Sequence, residues 1–240
     1  MTPQQLFQAG RLDEAIQALS AEVRDNPQDL KRRTFLFELL CFAGDLTRAE
    51  KHLDLAAQGT HQREMGALLY RAALHAETTR RDLFSKQQYP MPRVSDRVET
   101  QSVTINGKVH HSVTDGDPRI ASNLEVYAAG SYMWIPFTMI ASIEISPPKR
   151  LRDLIWLPAK VLTAANFQER ELGEVLLPVL TPFAWQHSDP DVRLGRATRW
   201  EETPDGEIVP VGQKILFADE EEWPVLELRC VTIATAQTAP

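Results

Sequence analysis

Two cysteines in 240 residues, Cys41 and Cys230, are too few and too far apart for a disulfide framework or a metal pair. Both read as small core hydrophobes in a reducing compartment. Glycine is scarce, at 11 residues, and no phosphate-binding loop, dinucleotide fingerprint or nucleophile elbow occurs. No apolar run approaches the ~20 residues that a membrane-spanning helix needs. The opening MTPQQLFQAGRLDEA lacks the basic-then-apolar pattern of a secretory leader. The chain is therefore expected to be cytoplasmic, with no membrane partner and no cofactor. Positive charge is also short. The net charge is −7; residues 1–90 carry 12 basic and 12 acidic side chains, and residues 91–240 carry 14 and 21. An acidic second half argues against a nucleic-acid partner.

What is present divides in two. From Thr2 to about Lys86 the apolar spacing is helical, with Gly or Pro only at the joints. Leu6, Ala9, Gly10, Leu12, Ala15 and Leu19 recur as Leu40, Ala43, Gly44, Leu46, Ala49 and Leu53, each 34 residues on. That is the tetratricopeptide period. Gly10 and Gly44 fall where one helix ends and the chain turns back. Asp13 and Asp45 fall at the start of the next helix, where a carboxylate favours free amides. A third unit keeps Leu74 but has Thr78 and Leu83 where Gly and Ala are expected, so it predicts a degenerate capping helix pair. In this register Lys31, Thr34, Glu38 and Phe42 would face the concave side of the array and form a partner-binding surface. A groove this short suits a single helix or a short extended peptide.

Tyr89-Pro-Met-Pro-Arg93 breaks the helical pattern, which places a domain boundary near Pro90: 1–90 helical repeat, 91–240 β-rich. Beyond it Ser102–Ile105, Asn106-Gly107 and Lys108-Val-His110 spell a hairpin. Asp115-Gly-Asp-Pro118 reads as a turn; it lacks the further carboxylates of a calcium loop. Leu124–Tyr127 and Ser131–Trp134 form a second hairpin around the three residues Ala128-Ala-Gly130. Pro136–Met139 predicts a tight turn, and Ile140, Ile143 and Ile145 a strand. Ser146-Pro-Pro-Lys-Arg-Leu-Arg-Asp predicts a helix start. Further strands are expected at 159–162, 174–179, 195–200, 215–217 and 225–231, with Asp219–Glu222 as the turn between the last two and a frayed tail from Ala234. The fold class is α+β: a tetratricopeptide-like superhelix followed by a mostly antiparallel sheet or partial barrel with one or two helices.

No catalytic constellation stands out. His110 and His111 are adjacent, so in a strand their rings point apart. His187, Asp189 and Asp191 form the best metal-like cluster, but Ser188 and Pro190 between them favour a loop, and no metal ligand is assigned. Arg150, Arg152 and Asp153 read as a solvated helix face rather than an anion clamp. Tyr132, Trp134 and Trp156 read as core.

The segments LEVYAAGSYMWIPF, PPKRLRDLIWLPA, EVLLPVLTP, RLGRATRW and GQKILFADEEEWPVLELR, in that order, resemble the ImpE/TagJ (SciE-type) family of type VI secretion accessory proteins. The resemblance covers the whole chain, with departures in the helical half and the linker. It implies a non-enzymatic adaptor that binds an amphipathic helix of the small, TssB-like subunit of the contractile sheath. It also implies a link to the ClpV-type AAA+ ATPase that disassembles the sheath, with no catalytic residues to carry over. The alternatives are a chaperone-like module for an effector or baseplate component, and a metal-dependent enzyme built on His187, Asp189 and Asp191.

Overall fold

The computed structural model describes residues 1–91, 102–164, 167 and 171–234. Most of the linker after Met91, and the tail from residue 235, lie outside the described residues. The chain is α+β, helices first and antiparallel sheet after.

Helices α1 (Pro3–Gln8), α2 (Leu12–Asp25), α3 (Leu30–Phe42) and α4 (Leu46–Ala57) are the two units of the 34-residue repeat. Each start has a local cause. Thr2 accepts from the Gln5 amide while Gln5 returns to the Thr2 amide, Asp29 caps α3, and Asp45 caps α4. Helix α2 buries one stripe, Leu12, Ala15, Ile16, Leu19 and Val23. Helix α3 is buried on most sides, with Leu36, Phe37, Leu39, Leu40 and Phe42 at 1% exposure or less. The third unit differs from expectation. It is one continuous helix, α5 (His61–Ser85), of 25 residues rather than a pair. Thr78, standing where the repeat has Gly, does not break the helix; its hydroxyl donates back to the Leu74 carbonyl.

Among the described residues, eight strands form the main sheet. In spatial order they are β2 (Lys108–His110), β1 (Ser102–Ile105), β13 (Cys230–Ala234), β6 (Ile140–Ile145), β7 (Trp156–Thr163), β8 (Glu171–Pro178), β4 (Asn123–Ala128) and β5 (Ser131–Pro136). Neighbours are antiparallel throughout. Smaller sheets join β3 (Val113–Asp115) to β11 (Ile215–Ala218) and β12 (Glu221–Pro224), and β9 (Thr198–Glu202) to β10 (Ile208–Gly212). The Asn106-Gly107 hairpin forms as expected, with φ of 51° and 89° at its two turn residues. The second hairpin is tighter than expected. Ala128 pairs with Ser131, leaving a two-residue loop of Ala129 and Gly130 at positive φ.

Several expectations need correction. The helix expected from Ser146 is only a 3-10 turn, Leu151–Leu154, because Trp156 already pairs with Pro178 as the first residue of β7. The strand expected at 195–200 begins at Thr198, after a short helix α6 (Pro190–Arg193) that ends at Gly195 with φ of 64°. Residues 225–227 form a 3-10 turn, and the residues expected as a turn at 221–222 open β12. Cys230 is exposed rather than core; Cys41 is buried.

The two sides of β4, β5, β7 and β8 explain the layering. Leu124, Val126, Leu157, Val175 and Leu177 point to one core, shared with Leu216 and Ala218 of β11. Tyr127, Tyr132, Trp134, Trp156 and Leu176 point to the other, where they join the helical residues in one apolar cluster. Helix α5 lies across this face.

The same face carries a buried ionic network. Glu125 on β4 has no exposed side-chain surface and receives Arg80 of α5 twice at 2.8 Å, Lys214 at 2.5 Å and the Tyr132 hydroxyl at 2.5 Å. Tyr132 itself accepts from the Trp134 indole, and Tyr127 donates to Glu77 of α5. Lys214 also pairs with Asp115, and Arg119 with Asp117. The Asp115–Pro118 turn is therefore an internal charge cluster. Burial pushes the Asp115 carboxyl up to about 6, with Lys214 opposing and the Glu125 and Asp117 carboxylates adding to the rise. Burial also opposes charge on Glu125, but Arg80 and Lys214 win and hold it well below its ordinary range.

The repeat glycines are docking points for the second half. At Gly44, φ is 76° and a Cβ would fall 2.3 Å from the Trp185 ring; at Gly10, φ is 78° and a Cβ would meet Pro190 at 3.3 Å. Arg81 reinforces the first contact, donating to the Gly44 carbonyl at 2.8 Å while lying over Trp185.

Two outcomes are expected. Gly44→Ala should cost about 2–4 kcal/mol, from strain at positive φ plus overpacking, and Gly10→Ala only about 1–2 kcal/mol; denaturant unfolding measures both. The sign for Asp115 follows from its raised value. Its contribution is fully present below its ordinary 3.8 and is lost as pH rises through about 6. The stability of Asp115→Asn relative to wild type should thus rise by roughly 2–3 kcal/mol between pH ~4 and pH ~7 and then level off. A difference that is flat with pH would show that Asp115 titrates as an ordinary carboxylate.

Candidate functional site

The inner faces of α3, α4 and α5 meet the loop before the 3-10 turn Leu151–Leu154, and a cleft of about 260 Å³ opens between them. Its floor is apolar: Phe37, Leu53, Ala57, Ala67 and Tyr70, all at 8% exposure or less. The floor is rigid because its aromatics brace one another. Phe37 meets Tyr70 edge-on at 6.1 Å, and Tyr70 stacks on Trp156 of β7 at 6.4 Å.

The rim is cationic. Arg63 of α5 and Arg150 of the loop are exposed, and Arg152 lies between them and the floor. Asp153 shapes that loop by accepting from the amides of Lys149 and Arg150 at 2.8 and 2.9 Å. Arg152 is held by two contacts. Its guanidinium carbon sits 4.4 Å from the Tyr70 ring centre, and its Nε lies 3.7 Å from Glu38. Burial pushes the Glu38 carboxyl up, Arg152 opposes the shift, and Asp153 adds to it. Arg150, Arg152 and Asp153 therefore do not form a solvated helix face. Arg150 and Arg152 are the sheet-side wall of the cleft, and the buried Asp153 braces the loop that carries them.

The residues expected to face a partner are distributed unevenly. Thr34 lines the cleft, and Lys31 is exposed one turn before it on α3. Glu38 is turned toward Arg152. Phe42 is not at the surface: it is completely buried, 5.8 Å from the Phe7 ring, because the end of α3 is wrapped by α1 and α2. The expectation for Phe42 is corrected accordingly. Arg63, Gly66 and Tyr70 were not anticipated. A signal existed in Gly66, a glycine well inside a helix. A Cβ built there meets no atom within 4 Å, so nothing within the chain demands its absence.

His187, Asp189 and Asp191 do not converge. His187 Nε2 lies 2.8 Å from Glu201 and its Nδ1 accepts from the Asp189 amide, while Asp189 caps α6 and Asp191 pairs with Arg196. Among the described residues no three potential ligands are grouped as a metal site. No helix among the described residues is long and apolar enough to cross a membrane.

A model of the family described as ImpE protein matches residues 107–232. The chain belongs to the ImpE family. A curated relative, the type VI secretion system accessory component TagJ of Pseudomonas aeruginosa PAO1, is 28% identical over 260 aligned positions, spanning 95% of this chain and 90% of that one. The crystal structure of protein VPA1032 from Vibrio parahaemolyticus superposes with a TM-score of 0.82 at 21% identity, covering 97% of each chain. At that identity the likeness shows the fold. The ImpE match contains Glu125, Lys214, Arg150 and Arg152, so it holds the sheet side of the buried network, without Arg80 and Glu77 of α5, and one wall of the cleft. The other wall, Thr34 to Tyr70, precedes it.

A glycine inside a helix costs about 0.5–1 kcal/mol relative to alanine. Gly66→Ala should therefore raise stability by that amount, read as an increase in melting temperature. A loss of stability would show that the open space at Gly66 is filled in solution.

Proposed function

We propose that this ImpE protein is a non-catalytic adaptor of the bacterial type VI secretion system, and that its cleft holds an amphipathic helix. The observation that carries the reading is the pairing of an apolar, aromatic-braced floor with a rim of three arginines. An amphipathic helix laid into such a groove buries its apolar stripe on Phe37, Leu53 and Tyr70 and turns acidic flanks toward Arg63, Arg150 and Arg152. Gly66 lets the ligand backbone approach closely. Lys31 and Thr34 extend the contact along α3, and Glu38 acts indirectly by holding Arg152. Support for the secretion role comes from the TagJ relative, which aligns with nearly the whole chain.

The helix we assign is that of the small, TssB-like sheath subunit. An adaptor that grips it would hold contracted sheath near the ClpV-type ATPase. The TagJ relative supports the secretion role, while the choice of an amphipathic helix as partner rests on the apolar floor and arginine rim of the cleft. No cofactor enters this reading, and domains 1–90 and 91–240 divide the work: the first supplies the apolar floor, the second the arginine wall.

Calorimetry with a synthetic sheath-subunit helix tests it. Binding is expected with salt-dependent affinity, because the rim charges are exposed and screened. Arg63→Glu combined with Arg150→Glu should weaken it at least about tenfold with little change in stability, since exposed charges contribute about 1 kcal/mol or less to folding. Gly66→Leu, which fills the cleft, should weaken it further. No heat of binding at ~100 μM would overturn the assignment, as would binding indifferent to all three substitutions.

A further inference from the structure

Helix α5 carries a second surface, distinct from the cleft. Met65, Leu68 and Leu69 are 54%, 52% and 45% exposed, three large apolar side chains on two turns of one helix. Beside Met65 and Leu68 runs a groove of about 540 Å³ whose wall includes Asp54, His61, Glu64 and Arg71. The stripe has a cause in the fold. Toward the C-terminal end of α5 the sheet covers one side of the helix: Ala76 is fully buried, and Arg80, 1% exposed, pairs with Glu125 of β4. The cover stops at the β4–β5 hairpin tip, where a Cβ on Gly130 would lie 3.4 Å from the Ala72 Cβ. Before Ala72 the helix runs on past the sheet edge and the row stands bare.

The spacing along that bare row is 4, 3, 4: His61, Met65, Leu68, Ala72. This is the a/d seam of a coiled coil over about one and a half heptads. Its flanking charges say what fits it. Glu64 and Arg71 are seven residues apart and occupy the same flanking position of successive heptads, beside Leu68 on the seam. When two copies of such a helix meet antiparallel, each flank faces its own counterpart, so Glu64 of one copy meets Arg71 of the other, twice, about a two-fold axis near Ala67. In a parallel pair Glu64 would face Leu69 and Arg71 would face Ala76, which carry no charge. Arg71 gives its Nε to Asp54 at 2.7 Å, and a guanidinium has further donors for a second carboxylate.

We infer that a second copy of this chain covers the stripe, and that the protein is a two-fold dimer through antiparallel packing of the N-terminal halves of α5. The interface is isologous, as a two-fold contact must be, because the residues that supply the acid and the base are on the same helix. It leaves Arg63, Gly66 and Tyr70 facing the cleft, so the inference does not depend on what the cleft binds.

Sedimentation equilibrium of the full chain, up to ~100 μM, gives the test. A mass of twice the chain is expected. Met65→Glu and Leu68→Glu should each raise the dissociation constant at least about tenfold, and Glu64→Arg, which sets arginine against Arg71, by about three- to tenfold. Val109→Glu, at an equally exposed apolar site on β2, should leave it unchanged. Circular dichroism checks that helix content is kept; if either glutamate variant loses it, Met65→Ala and Glu64→Arg decide the matter. The inference is overturned by a wild-type monomer throughout the range, by a dimer indifferent to the α5 substitutions, or by equal weakening from Val109→Glu.

Discussion

Glu125 sets the geometry of the molecule. A carboxylate with no exposed surface stays charged only if the surrounding groups replace water completely, and three separate parts of the chain do so: Arg80 from α5, Tyr132 from β5 and Lys214 just before β11. Breaking one such buried pair by removing a partner costs about 3–5 kcal/mol, since a charge is left without compensation. A bidentate arginine contact also tolerates little rotation. It therefore fixes the height and the roll of α5 on the sheet. From that single placement follow Phe84 against Trp134, Tyr70 against Trp156, and the run of α5 beyond the hairpin tip.

The other ties between the halves act at the far end of the helical array. Arg193 grips Asp13 with two bonds at 2.9 and 3.0 Å. Arg196 donates to the carbonyls of Phe7 and Gln8 at the C-terminus of α1, where free carbonyls and the helix dipole favour a cation. With Trp185 on Gly44 and Pro190 on Gly10, the segment 184–196 serves as a saddle for both repeat turns. A tetratricopeptide-like array of two units and a long helix would have a thin core alone. Here the sheet takes the place of the missing units and also closes one side of the concave face. That closure turns an open groove into a cleft with an arginine wall.

The legible part of the fold was what local chemistry controls. The 34-residue repeat, the Asn106-Gly107 hairpin, the isoleucine strand at 140–145 and the Ala-Ala-Gly hairpin all appear, because helix caps, positive-φ turns and alternation act within a few residues. The short helix expected after Ser146 failed for a tertiary reason: pairing with β8 pulled Trp156 into a strand and left room for one turn. Phe42 failed because α1 and α2 wrap the end of α3. Arg150 and Arg152 were visible as a charged motif, but their role depended on which surface lay opposite them.

By itself the sequence determined the class of the chain, its family resemblance, the repeat and most strands, since periodicity and turn chemistry are properties of short stretches. Only the tertiary structure decided that the family's motif segments hold the helices to the sheet. Glu125 and Lys214 are 89 residues apart, Arg80 and Glu125 are 45 apart, and no local pattern announces that they share one buried site. The same holds for the cleft and for the bare half of α5. Each exists because of where the sheet ends against the helices, and that edge is set by packing and charge pairing between segments distant in the chain.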